Sequence, residues 1–87
     1  MPTIELPAAL RGHAGGKAKL SLEAKTVHGA LLTLTKLHPA LATVLFNGAE
    51  LKRTIGIFVD DEDVRTELDR ELKPNDVVVL IAAMAGG

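Results

Sequence analysis

The apolar run VVVLIAA at residues 77–83 constrains the fold of this chain more than any other feature. A strand with one solvated face alternates apolar and polar side chains, whereas this run has no polar position. It therefore predicts a central strand that is covered on both faces. Pro74, Asn75 and Asp76 directly precede the run and predict a turn into it.

The core around this strand must be thin, because a chain of 87 residues forms a single small domain. Hydrophobic residues make up 47% of the chain, and Phe46 and Phe58 are its only aromatic residues. Since a thin core has to be almost wholly apolar, we expect it to consist of aliphatic side chains.

Two strands and a helix are predicted in the N-terminal half. The segments TIELP (3–7) and AKLSLE (18–23) alternate as strands do, and the glycine-rich stretch between them predicts the turn of an antiparallel hairpin. Thr26 is expected to cap a helix that ends at His38, before Pro39. One apolar face of this helix is formed by Val27, Ala30, Leu31, Leu34 and Leu37.

Shorter elements are predicted between this helix and the final strand. ALATVLF (40–46) indicates a second short helical piece before a turn at Asn47 and Gly48. The following segments predict, in order, a strand at TIGIFVD (54–60), an acidic turn at DDED (60–63), an edge segment around Val64 and Arg65, and one or two helical turns at TELDREL (66–72).

One helix can cover only one face of a small sheet, so the other face of the last strand needs a separate cover. Its side chains are either Val77, Val79 and Ile81 or Val78, Leu80 and Ala82. We expect an uncovered face near Phe58 and Leu80 to contact a partner protein. The alternative is that residues 40–54 fold over this face and close it.

Charge and composition exclude several functions. The net charge of -1, with acids and bases interspersed, favours neither nucleic acid nor a membrane surface as a partner. The chain has no cysteine, which excludes disulfides, thiolate nucleophiles and zinc–thiolate sites. Residues 1–7 lack the features of a signal peptide, and no apolar run approaches the ~18 residues of a membrane span. We expect a soluble, cytoplasmic protein.

No internal motif indicates catalysis or metal binding. GHAGGKA departs from a phosphate-binding loop because position 11 is arginine and Ala18 has no hydroxyl group. DDEDVRTELDRE departs from a calcium loop at Val64 and Arg65. His28 and His38 are ten residues apart beside one helix, roughly 15 Å along its axis, so they cannot share a metal ion. We expect no enzymatic activity and no metal or cofactor bound by the chain itself.

Three stretches carry a resemblance to a known family: TVHGALLTLTKLHPAL (26–41), VDDEDVR (59–65) and KPNDVVVLIAAMAGG (73–87). They resemble the ubiquitin-like sulfur carriers of the ThiS/MoaD-like family, which serve thiamine, molybdopterin and cysteine biosynthesis. ELKRTIGIFVDDEDVR (50–65) is most similar to the carriers of the cysteine-forming kind, although Asp60 and Asp61 replace the commoner Asn-Asp or Asn-Gly turn. The resemblance spans nearly the whole chain.

The element order and this resemblance together imply an α+β fold. The expected architecture is a ubiquitin-like β-grasp, with a mixed sheet of four to five strands and one main helix on one face. Residues 1–83 would form the β-grasp domain, and residues 84–87 a flexible C-terminal tail that ends in Gly86 and Gly87.

The resemblance also implies a chemistry for this tail. The Gly87 carboxylate would be adenylated and then converted to a thiocarboxylate, while Met84, Ala85 and Gly86 thread the partner's active site. The implied partners are a ubiquitin-activating-type adenylyltransferase that uses ATP and magnesium, a sulfur donor and a downstream sulfur-accepting enzyme. Alternatives are the small subunit of a molybdopterin synthase, a modifier conjugated to lysines, and a non-catalytic interaction module.

Overall fold

The computed structural model of the chain describes residues 1–82. Its elements, in chain order, are β1 (Thr3–Glu5), α1 (Ala8–Arg11), β2 (Lys19–Ser21), α2 (Val27–Leu37), α3 (Ala42–Leu45), β3 (Phe46–Asn47), β4 (Glu50–Leu51), β5 (Ile55–Val59), β6 (Glu62–Asp63) and β7 (Val77–Ala82). Two short 3₁₀ helices, Gly12–Ala14 and Pro39–Leu41, precede β2 and α3. The predictions made for Met84, Ala85, Gly86 and Gly87 lie outside the described residues.

The last strand is the centre of the sheet, as predicted. Five strands pair in the order β2-β1-β7-β5-β6. β7 runs parallel to β1 and antiparallel to β5, while β1 and β2 form the predicted antiparallel hairpin. This mixed sheet, with α2 as the one long helix, has the β-grasp topology. The predicted α+β fold class is confirmed.

The core lies between the sheet and α2. The sheet contributes alternate side chains from each inner strand, and α2 contributes one apolar face. Its largest fully buried side chains are Ile4, Leu22, Val27, Leu31, Leu34, Leu41, Leu45, Ile57, Val59, Val64, Val78 and Leu80. None of these residues is aromatic, so the prediction of an aliphatic core is confirmed.

Both predicted ends of α2 are confirmed. The hydroxyl oxygen of Thr26 accepts a hydrogen bond from the Gly29 amide at 3.0 Å. The helix ends at Leu37, and His38 leaves the helical region with φ -133° and ψ 81°. This N-terminal cap satisfies one of the amides that the first helical turn leaves unpaired.

The prediction of helical turns at residues 66–72 is wrong, because this segment forms non-helical turns. Its carbonyl oxygens instead accept hydrogen bonds from the first residues of α2. The amides of Val27 and His28 donate to the carbonyl oxygens of Arg70 and Leu68 at 3.0 and 2.7 Å. The glycine-rich connection between β1 and β2 also differs from a simple turn, since it contains α1 and buries Leu10.

Residues 40–54 do not cover the second face of the sheet. Leu41 and Leu45 are fully buried in the same core cluster as α2, and the β3–β4 hairpin forms a separate two-stranded sheet. Closure of that face by this segment is therefore wrong. The second face of β7 is open in this chain, where Ile81 is 45% exposed, and contact with a partner protein stays the prediction for its cover.

Candidate functional site

The uncovered face of the sheet forms a groove of about 580 Å³. Its apolar floor comes from Phe58 on β5 and from Val77, Val79 and Ile81 on β7. The register explains this grouping, because Phe58 lies directly opposite Val79 and alternate β7 residues point to the same side. Glu5, Asp60, Asp61 and Asn75 complete the lining as a polar rim.

Gly56 lies next to the Phe58 ring in this floor. Gly56 lies opposite Ile81 in the β5–β7 pair. A Cβ atom placed on Gly56 would be 3.5 Å from Cε1 of Phe58 and 3.7 Å from Cβ of Ile81. The ring therefore lies along β5 over the glycine, and these three residues form one apolar patch.

The two residues predicted to contact a partner lie on opposite sides of the sheet. Phe58 is half-buried in the groove, as expected of a surface residue with apolar neighbours. Leu80 is only 2% exposed and belongs to the core. The prediction that Leu80 contributes to a partner surface is therefore wrong. Strand alternation places Val79 and Ile81 on the groove side in its stead.

Four consecutive acids at residues 60–63 form the turn between β5 and β6 and the strand β6 itself. Val59 pairs with Glu62, which leaves Asp60 and Asp61 as a two-residue hairpin turn. Their φ angles are 53° and 64°, the left-handed values that such a turn requires and that asparagine and glycine adopt most easily. The structure therefore holds two aspartates in a backbone conformation that costs free energy.

Arg70 partly compensates the charge of this turn. Its guanidinium nitrogens lie 3.5 Å from the Glu62 carboxylate and 4.0 Å from that of Asp60. Among the described residues, neither Asp61 nor Glu5 forms an ion pair. The side of the groove near this turn is therefore negatively charged.

The opposite end of the sheet is where the chain continues toward Gly87. Ala82, the last described residue of β7, pairs with Ile55 at the start of β5. Lys52 and Arg53 lie in the loop before this strand, separated from it by Thr54. Arg65 donates hydrogen bonds from Nη2 to the Lys52 carbonyl at 3.1 Å and from Nη1 to the Arg53 carbonyl at 3.5 Å. The guanidinium group of Arg65 therefore holds the loop that precedes β5.

The histidines give no sign of a catalytic or metal centre. His13 and His28 are exposed, and His38 lies at the C-terminal end of α2. Within residues 1–82, no three histidine, aspartate or glutamate side chains are grouped so that they could hold a metal ion. In the same part of the chain, no helix combines the length and the apolar character needed to cross a membrane.

Comparison with known proteins places the chain in a family. The ThiS family model matches residues 4–87, which includes all of the sheet except Thr3 and also includes the terminal glycines. The chain belongs to the ThiS family. The sulfur carrier protein CysO of Mycobacterium tuberculosis (strain ATCC 25618 / H37Rv) is 30% identical to this ThiS-family chain over 90 residues, covering 98% of the chain and 97% of the relative.

Solved structures of similar proteins have the same fold. A chain in the crystal structure of the Amycolatopsis orientalis BexX/CysO complex is 31% identical, with a TM-score of 0.88 and full coverage of both chains. The small archaeal modifier protein 1 of Methanosarcina acetivorans is 29% identical, with a TM-score of 0.86 and coverage of 99% of this chain and 95% of that one. The resemblance to the ubiquitin-like sulfur carriers is confirmed.

Sequence reasoning about this ThiS-family chain missed several residues of the groove. Glu5 was assigned only to a strand, and its place on the rim depends on the parallel pairing of β1 with β7. Gly56 carried no turn or helix signal, so its contact with Phe58 follows only from the register. Arg65 and Arg70 act on backbone and acids that lie 8 to 13 residues away, and no local pattern indicates such contacts.

Proposed function

We propose that this chain is a sulfur carrier whose Gly87 carboxylate is adenylated by a partner enzyme and then converted to a thiocarboxylate. The observation that carries this proposal is the family match, which runs through Gly87. A curated relative named as a sulfur carrier protein supports it over nearly the full length of both chains. The carrier is then a substrate of its partners and has no catalytic activity of its own.

The chemistry needs activation because a carboxylate is a poor electrophile. One oxygen of the Gly87 carboxylate attacks the α-phosphorus of ATP, and pyrophosphate leaves. Hydrosulfide then attacks the acyl carbon of the mixed anhydride, its proton passes to a base, and AMP departs with one carboxylate oxygen. The activating enzyme supplies ATP, magnesium and the positioning of the reactants.

The chain's own contribution is delivery of the terminus. β7 is held in the centre of the sheet by pairing on both sides. The last five residues of the chain therefore extend from a fixed strand that ends at Ala82. Five residues reach at most about 18 Å when extended. Gly86 and Gly87 lack Cβ atoms and therefore fit a channel too narrow for side chains.

The experiment is the conversion of the purified full chain by its cognate activating enzyme with ATP, magnesium and sulfide. We expect the intact mass to rise by the difference between a sulfur and an oxygen atom, and fragmentation to place the change at Gly87. Removal of Gly86 and Gly87 should abolish the product, and Gly87→Ala should reduce it. Gly12→Ala is the matched control, because its added Cβ meets nothing within 4 Å.

Failure of the full chain to acquire sulfur from any activating enzyme of its own cell would overturn the proposal. Conversion of the truncated chain would overturn the assignment of the site. The likeness to a small archaeal modifier protein favours a second candidate, conjugation of Gly87 to lysine amines. An isopeptide-linked product in place of the thiocarboxylate would support that function, since the same acyl-adenylate can be attacked by an amine.

A further inference from the structure

We propose that Asn47 is a site of spontaneous modification, at which the side-chain amide is lost and an isoaspartyl linkage forms in the main chain. The nucleophile is the backbone nitrogen of Gly48, and the other reactant is water. The site lies at the tip of the β3–β4 hairpin. Since neither Gly87 nor the groove takes part in this reaction, the inference is independent of the proposed function.

The reaction balances without an oxidant or a co-reactant other than water. The Gly48 nitrogen loses its proton to base and attacks the Cγ carbon of Asn47, which forms a carbon–nitrogen bond and expels ammonia. Water then opens the resulting succinimide ring at either of its carbonyl carbons. Opening at one carbon leaves aspartate. Opening at the other leaves isoaspartate, in which the main chain continues through the side-chain carboxyl carbon.

The residue after the asparagine determines how easily this nitrogen can attack. Gly48 has no Cβ atom, so no side chain hinders its approach to Cγ. Within residues 1–82, the Gly48 amide donates no hydrogen bond and the Asn47 carboxamide takes part in none. Both residues are exposed, so water and base reach them.

The hairpin can open to the geometry that ring closure requires. Closure needs a backbone rotation at Asn47 that an extended strand does not allow. β3 and β4 form a separate sheet with two residue pairs, Phe46 with Leu51 and Asn47 with Glu50. An isolated two-stranded hairpin is marginally stable, so this one can open locally while the five-stranded sheet stays paired.

Asn75 is the comparison within the same molecule, because the chain has no other asparagine and no glutamine. It is exposed like Asn47, but the residue after it is Asp76, whose side chain hinders the attack. The Asp76 amide donates a hydrogen bond to the Lys73 carbonyl at 3.0 Å, and the Asp76 carboxylate accepts one from the Lys73 amide at 2.8 Å. The turn before β7 therefore holds the nitrogen that would have to attack, and we expect Asn47 to react first.

The isoaspartyl product should disrupt the hairpin. Isoaspartate adds a carbon atom to the main chain, which alters the register of the two-residue turn between Asn47 and Glu50. It also places a carboxylate opposite Glu50, and like charges directly opposite each other across two strands are destabilising. We expect β3 and β4 to lose their pairing while Leu41 and Leu45 stay buried in the core.

The test is incubation of the full chain at body temperature in neutral and in mildly alkaline buffer, followed by mass spectrometry. We expect the intact mass to rise by the difference between a carboxamide and a carboxylic acid, and to rise faster in alkaline buffer because the attacking nitrogen must lose its proton. Trypsin places the two asparagines in separate peptides, 37–52 and 71–87. Electron-transfer fragmentation distinguishes isoaspartate from aspartate, and it should find both in peptide 37–52 before peptide 71–87 changes.

Two variants serve as matched controls. Asn47→Gln keeps the carboxamide on a side chain that is longer by one methylene group, which disfavours ring closure, so peptide 37–52 should keep its mass. Asn47→Asp carries the charge of the product on an ordinary main chain. Backbone amide NMR spectra of the isoaspartyl chain should differ from those of Asn47→Asp at residues 46–51 and agree with them in the core.

The outcomes that overturn the inference are distinct. An unmodified Asn47, or equal rates at Asn47 and Asn75, would overturn the assignment of the site. Aspartate as the sole product would overturn the attack by Gly48, since direct hydrolysis leaves the main chain unchanged. An isoaspartyl chain whose hairpin spectrum equals that of Asn47→Asp would overturn the expected loss of pairing.

Discussion

The turn between β5 and β6 leads to a prediction about folding stability. We consider the double substitution Asp60→Asn with Asp61→Gly, which installs the sequence that two-residue hairpins prefer. Both positions have positive φ, 53° and 64°. The substitution should stabilise the fold, because asparagine and glycine adopt this conformation with less strain than aspartate.

The expected gain follows from three contributions. A left-handed backbone conformation costs an ordinary L-residue roughly 1–2 kcal/mol, and aspartate less than that. Glycine at position 61 removes this conformational cost at that position. Glycine also raises the entropy of the unfolded chain, which costs about 0.4–1 kcal/mol. Loss of the Asp60–Arg70 contact matters little, because its 4.0 Å separation and the 70% exposure of the Asp60 side chain make it a weak surface pair.

The net expectation is a stabilisation of about 0.5 kcal/mol, because the entropy cost offsets part of the strain relieved at position 61 and reduced repulsion within the acidic turn adds to the gain. For a domain of this size that corresponds to a rise in melting temperature of about 2–4 °C, measured by calorimetry or circular dichroism. Glu67→Gly is the control, since it also removes an exposed acid but at a residue without positive φ, and it should lower the melting temperature. An equal or lower melting temperature for the double variant would refute the argument from backbone strain.

Two further predictions test the helix cap and the two faces of the sheet. Thr26→Ala should destabilise the domain by about 1 kcal/mol in denaturant unfolding, because the Gly29 amide loses its acceptor. Thr26→Ser should restore most of that loss, and equal stability of the alanine and serine variants would contradict this role of the hydroxyl group. Phe58→Thr should weaken the complex with the activating enzyme while the domain stays folded. Leu80→Thr should cost about 3 kcal/mol or more of folding stability, because Leu80 is fully buried. Unfolding of the Phe58 variant together with a stable Leu80 variant would show that the two faces are reversed.

Much of the fold could be predicted because local patterns and tertiary packing agree. The threonine cap, the proline after His38 and the apolar face of α2 each act within one or two turns of chain. The central position of β7 followed from its lack of polar residues. These features depend on backbone chemistry and burial, which the sequence records directly.

The face assignments could not be predicted, because they depend on pairing between distant strands. A shift of register by one residue would exchange Val79 and Leu80 between groove and core, and nothing within β7 specifies that choice. The segment at residues 66–72 has helix-forming residues, but its carbonyls accept hydrogen bonds from the start of α2. The covering role considered for residues 40–54 failed because Leu41 and Leu45 join the helix side of the core.

The central position of β7 also determines how the domain responds to a pulling force. A force applied to the chain beyond Ala82 acts along the axis of a strand that is paired with β1 on one side and β5 on the other. Because ladder hydrogen bonds run across the strands, such a force shears many of them at once and does not open them one after another. The chain beyond Ala82 can therefore be placed under tension while the domain that carries it stays folded.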